Sequence, residues 1–391
     1  MRACGGVAAL VRLLAPGRSA AAQEAAAGAL RNLCSANIQN CDSVRECGGI
    51  AALVGLLAPG GSAAVQGAAA GALRNLCYNN ARNRDSVRSC GGVMALVELL
   101  APGGSAAMHE QAAAALHNLC NDNSQNRNSV RACGGVAVLV GLLASGGSAA
   151  VHVQAARALQ NLCVGNTQNM DCMIECGGFA ALVGLVAPGG TAAAQAAAAA
   201  ALANLCKDNT QSRDSIRECG GVAALVGLLA PGGPADVQGA AAAALCNSCI
   251  INTKNRDCVR WCGGIAALVG LLAPGDSATV QEYAASALAN FCIDNTTNKE
   301  CVRVCGGVAA LVGLLAPAHP AAVHHRAACA LVCLTSESGQ SRDAVGAYGG
   351  VAALEHVLAC ASSASAHQLA AAALRNLGRV QQVVNDLGHP D

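Results

Sequence analysis

One interval governs this sequence. Cys-Gly-Gly recurs at Cys4, Cys47, Cys90, Cys133, Cys176, Cys219, Cys262 and Cys305, and Tyr348-Gly349-Gly350 opens a ninth copy, each 43 residues after the last with no insertion. A fixed period of roughly 20–50 residues marks a repeat array rather than a globular fold. A unit of that length cannot bury its apolar face alone, so neighbours must stack and share a core. The length of 391 residues would otherwise suggest two or three domains. The period replaces that expectation with one array over residues 1–379, followed by a short tail at 380–391.

Each unit reads as three helices. The first is short, as in Asn83-Arg84-Asp85-Ser86-Val87-Arg88, with an acid near its start to complement the helix dipole. Gly91-Gly92 ends it, because glycine accepts the left-handed conformation at helix ends. The second helix is expected from about Val93 to Ala101. In the preceding unit Ile50, Leu53, Leu56 and Leu57 place one apolar face on it, and Pro59-Gly60-Gly61 stops it. Ser62 then caps a third, longer helix reaching about Tyr78, whose buried face is Val65, Ala69, Ala72, Leu73 and Leu76. The fold class is therefore all-α, a solenoid of nine 43-residue three-helix repeats.

Composition sharpens this. The chain is 53% hydrophobic but only 2% aromatic and 12% charged, so small residues do the packing and helices approach closely. The net charge of +1 supplies no steering field, and the basic residues are scattered among acids. Nucleic-acid binding needs clustered Lys and Arg, so a nucleic-acid partner is not expected. The 23 cysteines follow the repeat and not a disulfide framework: eight open units, and Cys34, Cys77, Cys120, Cys163, Cys206, Cys249 and Cys292 end third helices. Equivalent positions lie about 8–10 Å apart in stacked helices, beyond disulfide reach. They read as core thiols in a reducing compartment, cytoplasmic or nuclear. Met1 to Gln23 imitates a targeting segment, yet the same letters recur in later units, where they are structural. Cys176 to Cys206 carries no charge, but Pro188-Gly189-Gly190 divides it, so no membrane span is expected.

The opposite face of the third helix carries the candidate site. Asn recurs at one slot: Asn32, Asn75, Asn118, Asn161, Asn204, Asn247, Asn290 and Asn376, with Cys333 in the eighth unit. Asn is a poor helix former, so its recurrence asks for a reason. An aligned row of amides offers a donor and an acceptor at every step. These groups suit either an extended peptide backbone or a bond to the adjacent repeat. Arg31, Arg74, Arg157 and Arg375 add the only cations of this row of slots.

These residues resemble the armadillo repeat family. The carriers are the Gly-Gly between helices one and two, the ALVGLL second helix, the VQxxAAxAL third helix ending in Asn-Leu, and the Asn-Arg/Lys-Asp/Glu that follows, from Gly5 to about Leu377. The resemblance implies a right-handed superhelix whose third helices line a concave groove for extended peptides. It also implies that the eight Asn residues grip the peptide backbone. The nuclear-import branch of the family places Trp four residues before the Asn. Here that slot holds Gly28, Gly71, Ala114, Arg157, Ala200, Ala243, Ser286, Cys329 and Ala372, so recognition of basic import signals is not implied.

Two other chemistries were weighed against this reading. His325, Cys329 and Cys333 fall at i, i+4 and i+8 on one helix, a spacing compatible with zinc, but no fourth ligand is fixed and groove variation is the simpler account. No metal or cofactor is expected. Catalytic signatures such as GxGxxG, a Walker loop, HExxH or a nucleophile elbow are absent from the sequence. The chain therefore reads as a protein-interaction scaffold binding a protein or extended peptide. The alternative is a structural array that self-associates end-on, because the first unit lacks most of the short helix that precedes the others.

Overall fold

The computed structural model describes residues 5–144, 147–360 and 364–378; Cys4 and the tail at 380–391 lie outside them. The described residues form α-helices only, twenty-six of them. They belong to two compact units, residues 1–185 and 186–391. Repeats are numbered here by their third helices, which run from Ala20–Leu33 in repeat 1 to Ala364–Asn376 in repeat 9. Repeat 3 shows the plan: a first helix Ala81–Ser89, a second Gly92–Glu98 and a third Ala106–Cys120. The second helix is a turn shorter than expected, yet Leu99 and Leu100 beyond it are still buried.

Within each unit the third helices of successive repeats lie side by side and make the largest contacts. The core is assembled by slot. The third helices contribute Leu30, Leu73, Leu116 and Leu159 to one unit, and Leu202, Leu245, Leu288 and Leu331 to the other, all with no exposed surface. The second helices add Leu53, Leu96 and Leu139, and the first helices Val44, Val87 and Val130. Each such side chain contributes about 1.5–3 kcal/mol on burial. Ala69, Ala112, Ala241 and Ala284 are also fully buried and let the long helices approach closely.

The ends of the elements explain the recurring polar letters. Asn80 caps the first helix of repeat 3, its Oδ1 accepting from the Asn83 amide at 3.1 Å. The same arrangement holds at Asn37, Asn123, Asn166, Asn252 and Asn295. Asp85 is thus the fifth residue of its helix and outside the first turn, which corrects the dipole role expected of it. Its carboxylate accepts from Asn123 Nδ2 of the next repeat at 3.0 Å. Asp42 and Asp214 do likewise with Asn80 and Asn252, both at 3.1 Å, and pair with Arg45 and Arg217 at 2.7 and 2.6 Å. Ser62 stands at its cap position without a side-chain bond, whereas Ser19, Ser105, Ser148 and Thr191 do accept one.

The cation of the Asn-Arg/Lys-Asp/Glu motif closes the long helices. In repeat 4, Arg127 Nε donates to Cys120 O at 2.9 Å and Nη1 to Val164 O at 2.6 Å, joining the C-terminal ends of two successive third helices. Arg256 does the same with Cys249 O at 3.0 Å and Ile293 O at 2.7 Å. Arg84 reaches Asn121 O, and Lys299 reaches Ser336 O at 2.7 Å. A cation at a helix C-terminus answers both the unpaired carbonyls and the negative end of the dipole. Beside it, Asn83, Asn126, Asn169, Asn255 and Asn298 are wholly buried. Each donates to the carbonyl seven residues earlier at 2.7–3.1 Å.

The glycine pair divides its labour. Gly91, at φ 77°, is the left-handed residue that turns the chain into the second helix. Gly92 is a contact: a Cβ there would lie 2.6 Å from Val87 Cγ1 and 2.9 Å from Val54 Cγ2 of the preceding repeat. Gly92→Ala is therefore expected to destabilise the protein by about 1–3 kcal/mol through overpacking. Gly55→Ala, at a helical position with no atom within 4 Å of the new Cβ, is expected to stabilise by about 0.5–1 kcal/mol. Urea melts of the two variants compare these directly.

Candidate functional site

The third helices place the Asn row on one face of each unit, and the geometry gives most of its members a structural partner. Asn75 Nδ2 donates to Arg31 O at 2.8 Å, Asn118 to Arg74 O at 2.8 Å and Asn161 to His117 O at 3.0 Å. In the second unit Asn247 donates to Ala203 O at 2.9 Å, Asn290 to Cys246 O at 3.1 Å and Asn376 to Val332 O at 3.2 Å. The acceptor is always 44 residues earlier, one place before the Asn slot of the preceding repeat. It lies near the C-terminal end of that third helix, where carbonyls run short of N–H partners, although Val332 O also accepts from the Ser336 amide at 3.1 Å. Asn204 is exposed and turns back to Ala200 O in its own helix at 2.9 Å, and Asn32 is exposed in the first repeat. Each rung leaves the Oδ1 acceptor unspent, while at Asn161, Asn290 and Asn376 the amide nitrogen also lies 3.1, 3.2 and 3.1 Å from His117 Nδ1, Cys246 Sγ and Thr335 Oγ1.

The cations do not form a single row. Arg31 lies over the next repeat: a Cβ on Gly71 would stand 3.0 Å from Arg31 Cδ and 3.2 Å from Gln111 Oε1 of the repeat after. Gly71 is thus the floor beneath side chains from two neighbours, and this close approach is why glycine stands there. Arg74 is half-buried, and Arg157 and Arg375 are exposed. Arg157 sits in the slot four before the Asn, and its carbonyl is 3.1 Å from His117 Nδ1. His117 occupies the slot of Arg31 and Arg74, and burial holds its imidazole below the ordinary pKa. Arg326, which the sequence reading passed over, pairs with Glu282 of the preceding repeat at 3.4 Å. An open cleft of about 490 Å³ lies on this face in repeats 1–3, bordered by Glu24, Arg31, Gly67, Ser105, Met108 and Gln111.

The thiols divide into two classes. Those ending third helices are core groups as expected: Cys77, Cys120, Cys163, Cys206, Cys249 and Cys292 are buried. Burial pushes Cys120, Cys163, Cys206 and Cys292 up to about 12. The cysteines opening the repeats are not core thiols. Cys47, Cys90, Cys219 and Cys262 are exposed, and Cys133, Cys176 and Cys305 half-buried. They stand at the end of the first helix, where the left-handed glycine turns the chain and leaves them at the surface.

In repeat 8 the three residues of the weak zinc alternative have separate surroundings. His325 Nδ1 lies 3.2 Å from Ser365 Oγ. Cys329 and Cys333 lie one turn apart on the same helix, both half-buried. Among the described residues no three His, Cys, Asp or Glu side chains are arranged to hold a metal ion. No single described helix is long and apolar enough to cross a membrane; the uncharged stretch forms Gly178–Val186 and Ala192–Lys207.

The Armadillo/beta-catenin-like repeat matches residues 1–35, 37–78, 80–121, 123–164, 209–249 and 252–293. The chain belongs to the armadillo repeat family. Its structure is similar to the crystal structure of an engineered protein from the Northeast Structural Genomics Consortium, with TM-score 0.85 and 32% identity, over 98% of this chain and 92% of that one. It is also similar to a designed armadillo repeat protein in complex with the peptide (KR)4, with TM-score 0.56 and 25% identity, over 62% of this chain and 99% of that one. No curated protein matches the chain.

The rung geometry separates the Asn residues experimentally. Asn75→Ala strands the Arg31 carbonyl and is expected to destabilise by about 1 kcal/mol. Asn204→Ala removes a bond made within one helix turn and adds a better helix former, so its urea midpoint is expected to stay level or rise. For His117, whose native pKa is lowered, the unfolded chain binds the proton more readily. The stabilisation is therefore complete above the unfolded value, near 6.5. It is lost as the pH falls through that value towards the native one. An NMR titration should place the His117 midpoint below about 6.5, and His117→Gln should flatten the loss of stability between neutral and mildly acidic pH.

Proposed function

We propose that this armadillo protein is an interaction scaffold that binds an extended peptide segment along its third-helix faces. The observation that carries the reading is the repeated amide with hydrogen-bonding capacity to spare. At Asn75, Asn118, Asn161, Asn247, Asn290 and Asn376 one N–H holds the neighbouring repeat. That bond fixes the side chain and lowers the entropy lost when its remaining groups pair with a peptide. An extended peptide has no internal hydrogen bonds and can meet such groups at regular intervals. The cleft in repeats 1–3, floored by small residues, leaves room for the chain beside them.

The chemistry of this face also limits the partner. One designed armadillo protein of the same fold was solved with a Lys/Arg peptide. Here Arg31, Arg74 and Arg157 stand on the face, no aromatic side chain occupies the slot four before the Asn, and Glu24 and Glu110 are isolated. A neutral or acidic segment is the better match. Hot spots are usually aromatic or Arg, so affinity from any one repeat is modest and accumulates along the array. No catalytic role is part of this reading.

The test uses a phage-displayed library of random peptides panned on the purified protein. Peptides should enrich, and a synthetic copy of one should bind the wild type. Gly67→Gln fills the cleft, since the nearest atom to a new Cβ is Met108 Cα at 3.9 Å. It should weaken that peptide by about tenfold, the loss of one good contact, with an unchanged melting curve. No enrichment, or an enriched peptide indifferent to Gly67→Gln, defeats the proposal. Light scattering of the same sample addresses end-on pairing, which requires a mass that rises with concentration.

A further inference from the structure

One slot at the end of the first helices changes character along the chain. In repeats 2 to 6 it holds Glu46, Ser89, Ala132, Glu175 and Glu218. In repeats 7 and 8 it holds Trp261 and Val304, and in repeat 9 Ala347 with Tyr348 beside it. Trp261 is 77% exposed, Val304 69% and Tyr348 57%. A single exposed apolar side chain needs no explanation. Three at matching places in successive repeats do, and the first of them is the only tryptophan of the chain. Their helices, Thr253–Trp261, Thr296–Val304 and Gly339–Ala347, lie side by side within the unit of residues 186–391. The first helices thus carry an apolar stripe across three repeats, whereas the Asn row is carried by the third helices.

The same change leaves a cation short of a partner. Arg45, Arg217 and Arg260 share one role: Nη1 donates to the Asp three residues earlier at 2.6–2.8 Å and to the buried Asn of the next repeat at 2.7–3.1 Å. In Arg45 and Arg217, Nη2 also meets the carboxylate of Glu46 or Glu218, at 3.5 and 3.4 Å. At Arg260 that place is taken by Trp261, whose ring centroid lies 5.8 Å from the guanidinium carbon. Among the described residues no carboxylate takes up Arg260 Nη2. The first helices of repeats 7 and 8 together carry five basic residues against Asp257 and Glu300. Both acids are already paired, with Arg260 and Arg303 at 2.8 and 2.5 Å. The surface is therefore apolar along its length and short of negative charge beside it.

Spacing gives the form of what would cover it. Packed neighbouring helices lie about 8–10 Å apart, so the three side chains recur at about that interval. Residues i and i+7 of an α-helix share a face and are about 10 Å apart. Residues on one face of a strand recur about every 7 Å and fall out of step.

We propose that the stripe of Trp261, Val304 and Tyr348 docks an acidic amphipathic helix of another protein. Its apolar residues at i, i+7 and i+14 cover the three side chains. Its carboxylate gives Arg260 Nη2 the partner that Glu46 and Glu218 give to Arg45 and Arg217. Trp, Tyr and Arg are the residue types that dominate interface energies, and the stripe supplies all three. The proposal stands whether or not a peptide occupies the third-helix face.

The test pans the full chain against a phage-displayed library of peptides held helical on a fixed scaffold. Enriched helices should carry apolar residues seven apart with Asp or Glu beside them. Trp261 reports its own coverage, since the chain has no other tryptophan. A synthetic copy of an enriched helix should move its emission to shorter wavelength. Trp261→Glu restores the acid of the other repeats and should weaken that helix about thirtyfold, the scale of a hot spot, with an unchanged melting curve. Val304→Glu keeps the tryptophan and should also weaken binding, read by the same emission. Replacing the acid of the peptide by its amide should cost about threefold. No enrichment, enriched helices without acids, or a helix indifferent to both substitutions overturns the proposal. So does an emission that moves with protein concentration alone, which assigns the stripe to a second copy of the chain. An emission that moves only with phosphatidylserine vesicles assigns it to a lipid surface and overturns the proposal equally. The wild-type emission needs no variant, so a folding failure cannot leave the stripe undecided.

Discussion

A long helix that ends inside a stack leaves a set of carbonyls facing other protein, and in this chain their satisfaction organises nearly everything else. At the end of the third helix of repeat 3, His117 O takes the Asn161 amide, Leu119 O takes Asn126, Cys120 O takes Arg127 and Asn121 O takes Arg84. Three of the four donors come from the first and third helices of the following repeat, so the bonds that finish one helix also fasten the next. Unpaired and desolvated, each carbonyl would cost about 1–3 kcal/mol. The polar letters of the repeat are therefore as structural as its leucines. The period is strict because an insertion would move every donor away from its carbonyl.

The second constraint is distance. Donors as short as Asn reach a neighbouring helix only if the helices lie close, and the fully buried Ala69, Ala112, Ala241 and Ala284 permit that approach. Gly92 and Gly71 extend the same logic, one admitting Val54 of the preceding repeat and the other admitting Arg31 and Gln111. A chain with so few aromatic residues holds together through many close, small contacts, and Phe179 and Phe291 are its largest fully buried side chains. The binding face inherits this economy. It offers fixed amides, a few Arg residues and open space, and specificity must be read along several repeats.

Much of this was legible in the letters. The period located every helix, and the buried face of Val65, Ala69, Ala72, Leu73 and Leu76 is as the spacing requires, because a 3.6-residue period fixes which side chains share a face. The stop of the first helix at Gly91 follows from glycine's freedom at positive φ. Function-bearing detail was harder to read. Asp85 looked like a dipole partner because the helix start was placed two residues late, and the true cap, Asn80, lies outside the polar run that drew attention. The Arg127 and Arg256 slot enters the sequence reading only as part of the Asn-Arg/Lys-Asp/Glu motif, since nothing in one repeat reveals that two helix ends from successive repeats converge on it. The recurrence of a cation at this slot in six of the repeats was the available signal.

The sequence by itself determined the unit, its three helices and its repetition, because these depend on neighbours within a few residues and on a period that is visible in one dimension. The tertiary structure decided where the recurring polar groups spend their hydrogen bonds. Asn75 and Asn204 are the same letter in the same slot, yet one holds the carbonyl 44 residues away and the other turns to its own helix. The cysteines opening the repeats are as regular as those closing the third helices, yet only the latter are buried. A side chain's partner is set by which atoms other repeats bring within about 3 Å, and spacing along the chain does not encode that distance.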